Sequence, residues 1–308
     1  MNTTWWKRFR PINLLIVSLT QLFFIFFVLL PRLGSTVLSL RVQIELYLIV
    51  LITLCITAGG YIINDIQDIE IDRINKPNNV IINPGTWIWI YRLLFLFGSF
   101  TTLYVSYLHR AWWYLAVYLI AWFSLYAYSA RLKCVPLAGN LLVSLFSASV
   151  IIAVLVPFLS EISELDESMQ KQILRPFSFY FLFAFLLSLI REIVKDMEDY
   201  DGDKSRSCNT LAVSLGDEKT KIFVLFFSAI FMASLIAWIA LYGSEIPVIY
   251  FLYLVMIVLL PMLAVIYNVT SVKGSWSFKK QEYHKISTWL KYIMIAGILA
   301  LSMEFYIV

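Results

Sequence analysis

Half of the acidic side chains in this chain fall in two short windows. Of its 20 Asp and Glu residues, four lie in segment 64–77 (Asp65, Asp68, Glu70, Asp72) and six in segment 191–206 (Glu192, Asp196, Glu198, Asp199, Asp201, Asp203). The spacing repeats: Asp65, Asp68 and Asp72 stand at i, i+3, i+7, and so do Asp196, Asp199 and Asp203. On a helix this places three carboxylates on one face over two turns. Like charges so placed repel, so the arrangement costs stability unless a cation sits there. Hard oxygen donors suit Mg2+ or Ca2+, and Mg2+ completes its shell with water and substrate phosphates. Two facing aspartate groups therefore point to Mg2+ held around a diphosphate. A solvated polar loop that ends a helix explains one such cluster more easily than two with the same spacing.

Basic residues interleave with the acids. Arg73 and Lys76 follow the first group, and Arg191, Lys195, Lys204 and Arg206 surround the second. A third segment runs from Tyr126 and Tyr128 to Arg131 and Lys133, with Asn140 beyond. Metal plus Arg or Lys is the usual equipment for stabilising a departing diphosphate. Taken alone, Arg131 and Lys133 read as well as anchors on the positive side of a membrane.

The elements that must carry these residues are membrane helices. The chain has 308 residues, 61% hydrophobic and 14% charged, whereas a soluble domain carries roughly 25% charge. That apolar excess needs lipid as its solvent. Helix is the open option there, because lipid offers the backbone no hydrogen-bond partners. Apolar runs of about 20 residues place spans near 11–30, 44–63, 86–107, 112–129, 136–159, 176–195, 222–242, 246–267 and 287–307. The expected fold is all-α: a multi-pass bundle of about nine transmembrane helices forming a single membrane domain over 1–308. With the N-terminus inside, the inner segments hold 16 Lys and Arg and the outer ones 5. This predicts a cytosolic N-terminus, an outside C-terminus and both acid groups facing the cytosol, in a cell inner membrane. The first apolar run is too long for a signal peptide and reads as a retained helix.

Other chemistries find little support. The net charge of +4 comes without a dense basic patch, so no nucleic acid is expected. The cysteines, Cys55, Cys134 and Cys208, show no metal-ligand spacing; Cys55 and Cys134 read as small apolar fillers. The two histidines, His109 and His284, fall in expected loops, which argues against a His-based zinc or di-iron site.

The strings themselves resemble a known family. Asn64-Asp65-Ile-Gln-Asp68-Ile-Glu-Ile-Asp72-Arg73-Ile-Asn75-Lys76-Pro77 is similar to the first signature of the UbiA-type intramembrane prenyltransferases. Arg191-Glu192-Ile-Val-Lys195-Asp196-Met-Glu198-Asp199-Tyr-Asp-Gly202-Asp203 is similar to the second, with Thr210-Leu211 beyond it. Arg10-Pro11-Ile-Asn13 and the stretch from Tyr128 to Asn140 extend the likeness over nearly the whole chain. The resemblance implies a UbiA-like fold and the catalytic residues Asp65, Asp68, Lys195, Asp199 and Asp203. Asp65, Asp68 and Asp72 would hold one Mg2+, and Asp196, Asp199 and Asp203 the other. Asn64, Arg73, Arg131, Lys133, Asn140 and Lys195 would contact diphosphate, and Asn13 and Tyr128 would line the substrate pocket. The reaction implied is Mg2+-dependent transfer of a polyprenyl group from its diphosphate to a lipid or aromatic acceptor, through an allylic cation at C1.

Two departures stand out. Asn79 and Val80 follow the first signature where the family often has a further basic contact, and Ser207 stands where glycine is common. Neither removes an expected metal ligand. The second signature resembles the ether-lipid branch, which geranylgeranylates geranylgeranylglyceryl phosphate, while Thr210–Gly216 also resembles the naphthoate-prenylating branch of menaquinone synthesis. A transporter is the reading from another class, but its acids would sit near the midplane on broken helices. An inactive isoprenoid-binding relative is a third.

Overall fold

The computed structural model describes residues 5–34, 40–70, 81, 83–205 and 207–307. Asp72, Arg73, Asn75, Lys76, Pro77, Asn79, Val80 and Arg206 lie outside them. The described residues form helices and connecting turns, with no strand. Eight helices are long and apolar enough to cross a membrane: α1 (Pro11–Leu33), α2 (Arg41–Gln67), α3 (Pro84–Leu108), α5 (Ala138–Glu164), α6 (Glu167–Glu198), α7 (Asp217–Tyr242), α8 (Val248–Ser271) and α9 (Trp276–Glu304). Between α3 and α5 stands α4 (Trp113–Ala130), 18 residues long and rich in Trp and Tyr, which lower its hydropathy. At about 1.5 Å per residue it nearly matches a hydrocarbon core of about 30 Å. The order is that expected from the apolar runs.

Several helices extend beyond their apolar windows. The polar stretch at 160–175, expected as a loop, is helix Leu159–Glu164 followed by the first turns of α6. Asp166 caps α6, its side chain accepting from Met169 N at 3.0 Å, and this bond holds the carboxyl below its ordinary pKa. A side-chain oxygen at this position satisfies one of the orphan donors of a helix start. Likewise α9 begins at Trp276, so His284 lies on a helix, not in a loop, and its Nδ1 is 2.8 Å from Glu198 Oε1.

Two spans widen before a proline. The backbone takes a π turn at Phe24–Leu29 ahead of Pro31, and at Leu254–Leu259 ahead of Pro261. Proline lacks an N–H and crowds the carbonyl four residues earlier. At Pro31 that carbonyl, Phe27 O, accepts instead from Arg32 Nη1 at 2.9 Å.

The long helix α6 stands at the centre. One core joins it to α7, α8 and α9 through Leu189, Phe231, Met262 and Leu290; the other joins it to α1, α2 and α5 through Phe24, Val50, Ile151 and Ile173. Gln21 Nε2 donates to Thr53 Oγ1 at 3.0 Å and to Val150 O at 2.8 Å, clasping α1, α2 and α5. Such polar contacts hold helices together where lipid removes the hydrophobic drive between them. α3 and α4 lie at the periphery and turn large side chains outward, among them Phe100 and Ile120.

The cysteines correct the sequence reading. Cys134 is not a filler: it is bonded to Cys208, with Cα atoms 4.6 Å apart and a sequence separation of 74. The bond joins the turn after α4 to the segment after the second acid group. Cys55 is a buried free thiol, as expected.

Candidate active site

The two acid groups end two long helices at the same end of the bundle. Asn64 and Asp65 belong to the last turn of α2, with Asp68 one residue past it. Lys195 and Asp196 belong to the last turn of α6. Asp199 follows as its C-cap, and helix resumes at Tyr200–Ser205, carrying Asp203. Asp203 N donates to Asp199 O at 3.0 Å, so helical register runs through the break and keeps Asp196, Asp199 and Asp203 on one side.

Both groups open into one cavity of about 750 Å³. Its polar end takes Asn13, Asn64, Asp65, Asp68, Tyr128, Lys133, Lys195, Asp196, Asp199 and Asp203 from the residues singled out in the sequence. Its other walls are apolar and run between the helices, past Ile56, Phe146, Phe179, Leu187, Val258 and Met294. Asn140 stands behind the lining, buried, and donates through Nδ2 to Asp196 Oδ2 at 2.9 Å. Arg131 is exposed and does not line the cavity.

Charge is closely matched around the acids. Asp65 pairs with Arg8 Nη1 at 3.4 Å and Arg10 Nη2 at 3.3 Å. Asp68 pairs with Lys133 and accepts from Asn64 Nδ2 at 2.9 Å. Glu192 holds Arg191 at 2.9 Å and Lys195 at 3.1 Å. Burial alone would lower the Arg10 guanidinium, but Asp65 beside it reverses the sign and raises it above its ordinary value. Arg10 itself sits at a positive φ of 48°, directly before Pro11 at the start of α1. That turn aims it across the Tyr61 ring, 4.7 Å from its centroid.

Sequence reasoning missed some of these residues as site residues. Arg8 and Arg10 look like ordinary positive charges ahead of a first span. Arg191 is expected among the cations around the second acid group, but Glu192, which holds it and Lys195, has no role in the sequence reading. Lys291 also lines the cavity; it is a lone cation within an expected span, and an ionisable residue at membrane depth is a functional candidate by default.

The donor chemistry fits Mg2+. Among the described residues no three Asp, Glu, His or Cys side chains converge as a ready cage. Asp65 and Asp68 are held by cations and Asp196 by Asn140. Mg2+ needs only one or two carboxylates and takes its remaining oxygens from water and phosphate. Carboxylates on two helices facing one cavity supply that number from each side.

A model of the UbiA prenyltransferase family matches residues 28–289. The digeranylgeranylglyceryl phosphate synthase of Sulfurisphaera tokodaii is 38% identical over 185 residues, a stretch covering 58% of this chain and 60% of that protein. The protein of the same name from Methanopyrus kandleri is 31% identical over 276 residues, 87% of this chain and 90% of that one. A solved structure bearing on digeranylgeranylglyceryl phosphate synthase in membranes matches with a TM-score of 0.62 at 20% identity, covering 97% of this chain and 98% of its own. At that identity the likeness speaks for the fold. The matched family span includes both acid groups and the helices that bring them to one cavity, and the chain belongs to the UbiA prenyltransferase family, as an integral membrane enzyme.

Proposed function

We propose that this prenyltransferase moves a geranylgeranyl group from its diphosphate to geranylgeranylglyceryl phosphate, forming an ether bond. One observation carries the reading. Seven Lys and Arg side chains line the cavity against six carboxylates, so two Mg2+ ions held by those carboxylates would leave more positive charge than one diphosphate neutralises. An acceptor that brings its own phosphate uses the surplus. The relatives named above as digeranylgeranylglyceryl phosphate synthases support the same acceptor.

In this reading Lys133 and Arg8 meet the donor diphosphate beside Asp65 and Asp68. Asp65, Asp68 and the carboxylates of α6 would hold Mg2+, which would supply positive charge against the leaving diphosphate. The cations do the same from fixed positions, with no reorganisation as the C1–oxygen bond breaks. The apolar walls hold the prenyl chain and keep water from the allylic cation. Arg191, Lys195 and Lys291 hold the acceptor phosphate, leaving its hydroxyl oxygen to bond to C1 while the hydroxyl proton passes to the released diphosphate.

An acceptor screen tests this. Purified protein receives labelled geranylgeranyl diphosphate, with and without Mg2+, and one of geranylgeranylglyceryl phosphate, dihydroxynaphthoate or 4-hydroxybenzoate. A Mg2+-dependent product with the glyceryl phosphate is expected. Product with an aromatic acceptor alone would move the chain to quinone biosynthesis, and silence with all three would sink the proposed reaction.

The cavity mouth faces the cytosol in this proposal, on the strength of the 16-to-5 bias in loop Lys and Arg. The Cys134–Cys208 bond lies on the same face as the acid groups. Cytosolic disulfides persist chiefly in hyperthermophiles, so charge and redox chemistry pull apart unless this chain works in such a cell. Glu70 is exposed just past Asp68. In a Glu70→Cys variant, a membrane-impermeant maleimide should label inverted vesicles and spare intact cells. Labelling of intact cells would reverse the orientation.

A further inference from the structure

The two acid groups are joined by a short path that no single helix provides. Asp68 pairs with Lys133. The next residue, Cys134, is bonded to Cys208. Cys208 N donates to Asp203 O at 3.0 Å. Asp68, Lys133, Asp203 and Cys208 all line the large cavity. An ion pair, a disulfide and a backbone hydrogen bond thus run from the first carboxylate group to the second.

The turn that carries Lys133 has local backbone ties. Arg131 N donates to Ala127 O, Cys134 N to Arg131 O and Val135 N to Leu132 O. None of these three bonds reaches α6 or the segment after it. The disulfide does, and its sequence separation of 74 means that it removes far more chain freedom than a local contact can. A lysine ammonium rides on a flexible four-carbon stem, so its place depends on where its backbone is held. The Lys133–Asp68 pair is itself partly exposed, and such pairs hold weakly on their own.

The bond can be opened. Cys134 is partly exposed, whereas Cys208 is buried. A dithiol reductant attacks Cys134 Sγ as a thiolate; the S–S bond breaks, and Cys208 leaves as a thiolate that takes a proton. The second thiol of the reductant then displaces Cys134, which is protonated in turn. Two electrons and two protons pass to the cysteine pair, and the reductant becomes a disulfide. Cys55 is a free thiol and has no bond to break.

We propose that Cys134 and Cys208 are redox-set positioning residues. Bonded, they hold Lys133 against the first acid group and in register with Asp203, where a diphosphate spans the two groups. Reduced, they free the turn, and Lys133 no longer stands in place when diphosphate arrives. The proposal rests on the reading that this cavity binds diphosphate.

The test is isothermal titration of the full chain in detergent with inorganic diphosphate and Mg2+, so that no acceptor enters. Dithiothreitol should weaken binding about tenfold, the scale of one charge-assisted hydrogen bond, and re-oxidation should restore it. Cys208→Ser should bind like the reduced parent and ignore the reductant. Lys133→Gln separates positioning from plain stapling. In its oxidised form it should show the same loss, and reduction should add nothing, because the bond acts through Lys133. A further loss on reducing Lys133→Gln would make the disulfide a general staple and overturn the positioning role. Equal affinity in the oxidised and reduced parent, or two alkylatable thiols at these positions before reduction, would overturn the clamp. No binding by the oxidised parent would overturn the reading of the cavity, and this proposal with it.

Discussion

Asp65→Ala and Asp199→Ala should each lower Mg2+-dependent prenyl transfer by about 10²-fold or more, the range seen when one preorganised electrostatic group is removed. Both carboxylates line one cavity, from helices far apart in sequence. The Asp65 change carries a second signature. Asp65 is held by Arg8 and Arg10, so its loss releases two cations into the cavity. If the carboxylate only neutralised them, the variant would bind anions better and keep its turnover. If it holds Mg2+, diphosphate binding without Mg2+ should strengthen while Mg2+-dependent turnover falls. Isothermal titration with inorganic diphosphate, beside a radiolabel transfer assay, separates the two. Turnover within a few-fold of the parent in both variants would remove the acids from the chemistry.

The second large effect is expected at Gly139, on α5. A Cβ there would lie 2.9 Å from Leu132 O, 2.9 Å from Lys133 Cα and 3.1 Å from a Tyr128 ring carbon. Two of these atoms are backbone of the turn that presents Lys133 to Asp68, and that turn is tied one residue later by the Cys134–Cys208 bond. It has little room to retreat. Overpacking of this kind costs about 1–3 kcal/mol, so Gly139→Ala should melt several degrees below the parent and lose activity as Lys133 is displaced. Gly297→Ala is the stability control, because nothing lies within 4 Å of its added Cβ. A Gly139→Ala protein that melts and turns over like the parent would mean the turn yields freely.

Which parts were legible in the sequence follows from where the physics is local. The spans were readable because bilayer thickness fixes the length of an apolar run. The facing of Asp196, Asp199 and Asp203 was readable because helical periodicity places i, i+3 and i+7 together. The true starts of α6 and α9 were not, since their first turns are polar and continue the helix outside the apolar window. Arg8 and Arg10 were ambiguous because a cation ahead of a first span satisfies the orientation rule whether or not it also meets Asp65. The Cys134–Cys208 pair needs the tertiary fold, as 74 residues of separation carry no local signal. Arg131 and Lys133 are two residues apart on one turn, yet only Lys133 faces the cavity; sequence spacing in irregular backbone does not say which.

The contacts at the end that carries the acid groups also count crossings by parity. Two residues that touch lie on one side of the membrane, so an even number of spans must separate them. Arg10 meets Asp65 across α1 and α2. Cys134 meets Cys208 across α5 and α6. Lys133 meets Asp68, and the chain between them contains α3, which needs a return. Among the described residues only α4 supplies it, so the aromatic-rich helix crosses although its hydropathy is modest. At the far end Arg32 Nη2 reaches Glu304 O, and the eight spans from α2 to α9 close that loop with even parity as well. The total is odd, which leaves Arg10 and Glu304 on opposite sides of the membrane.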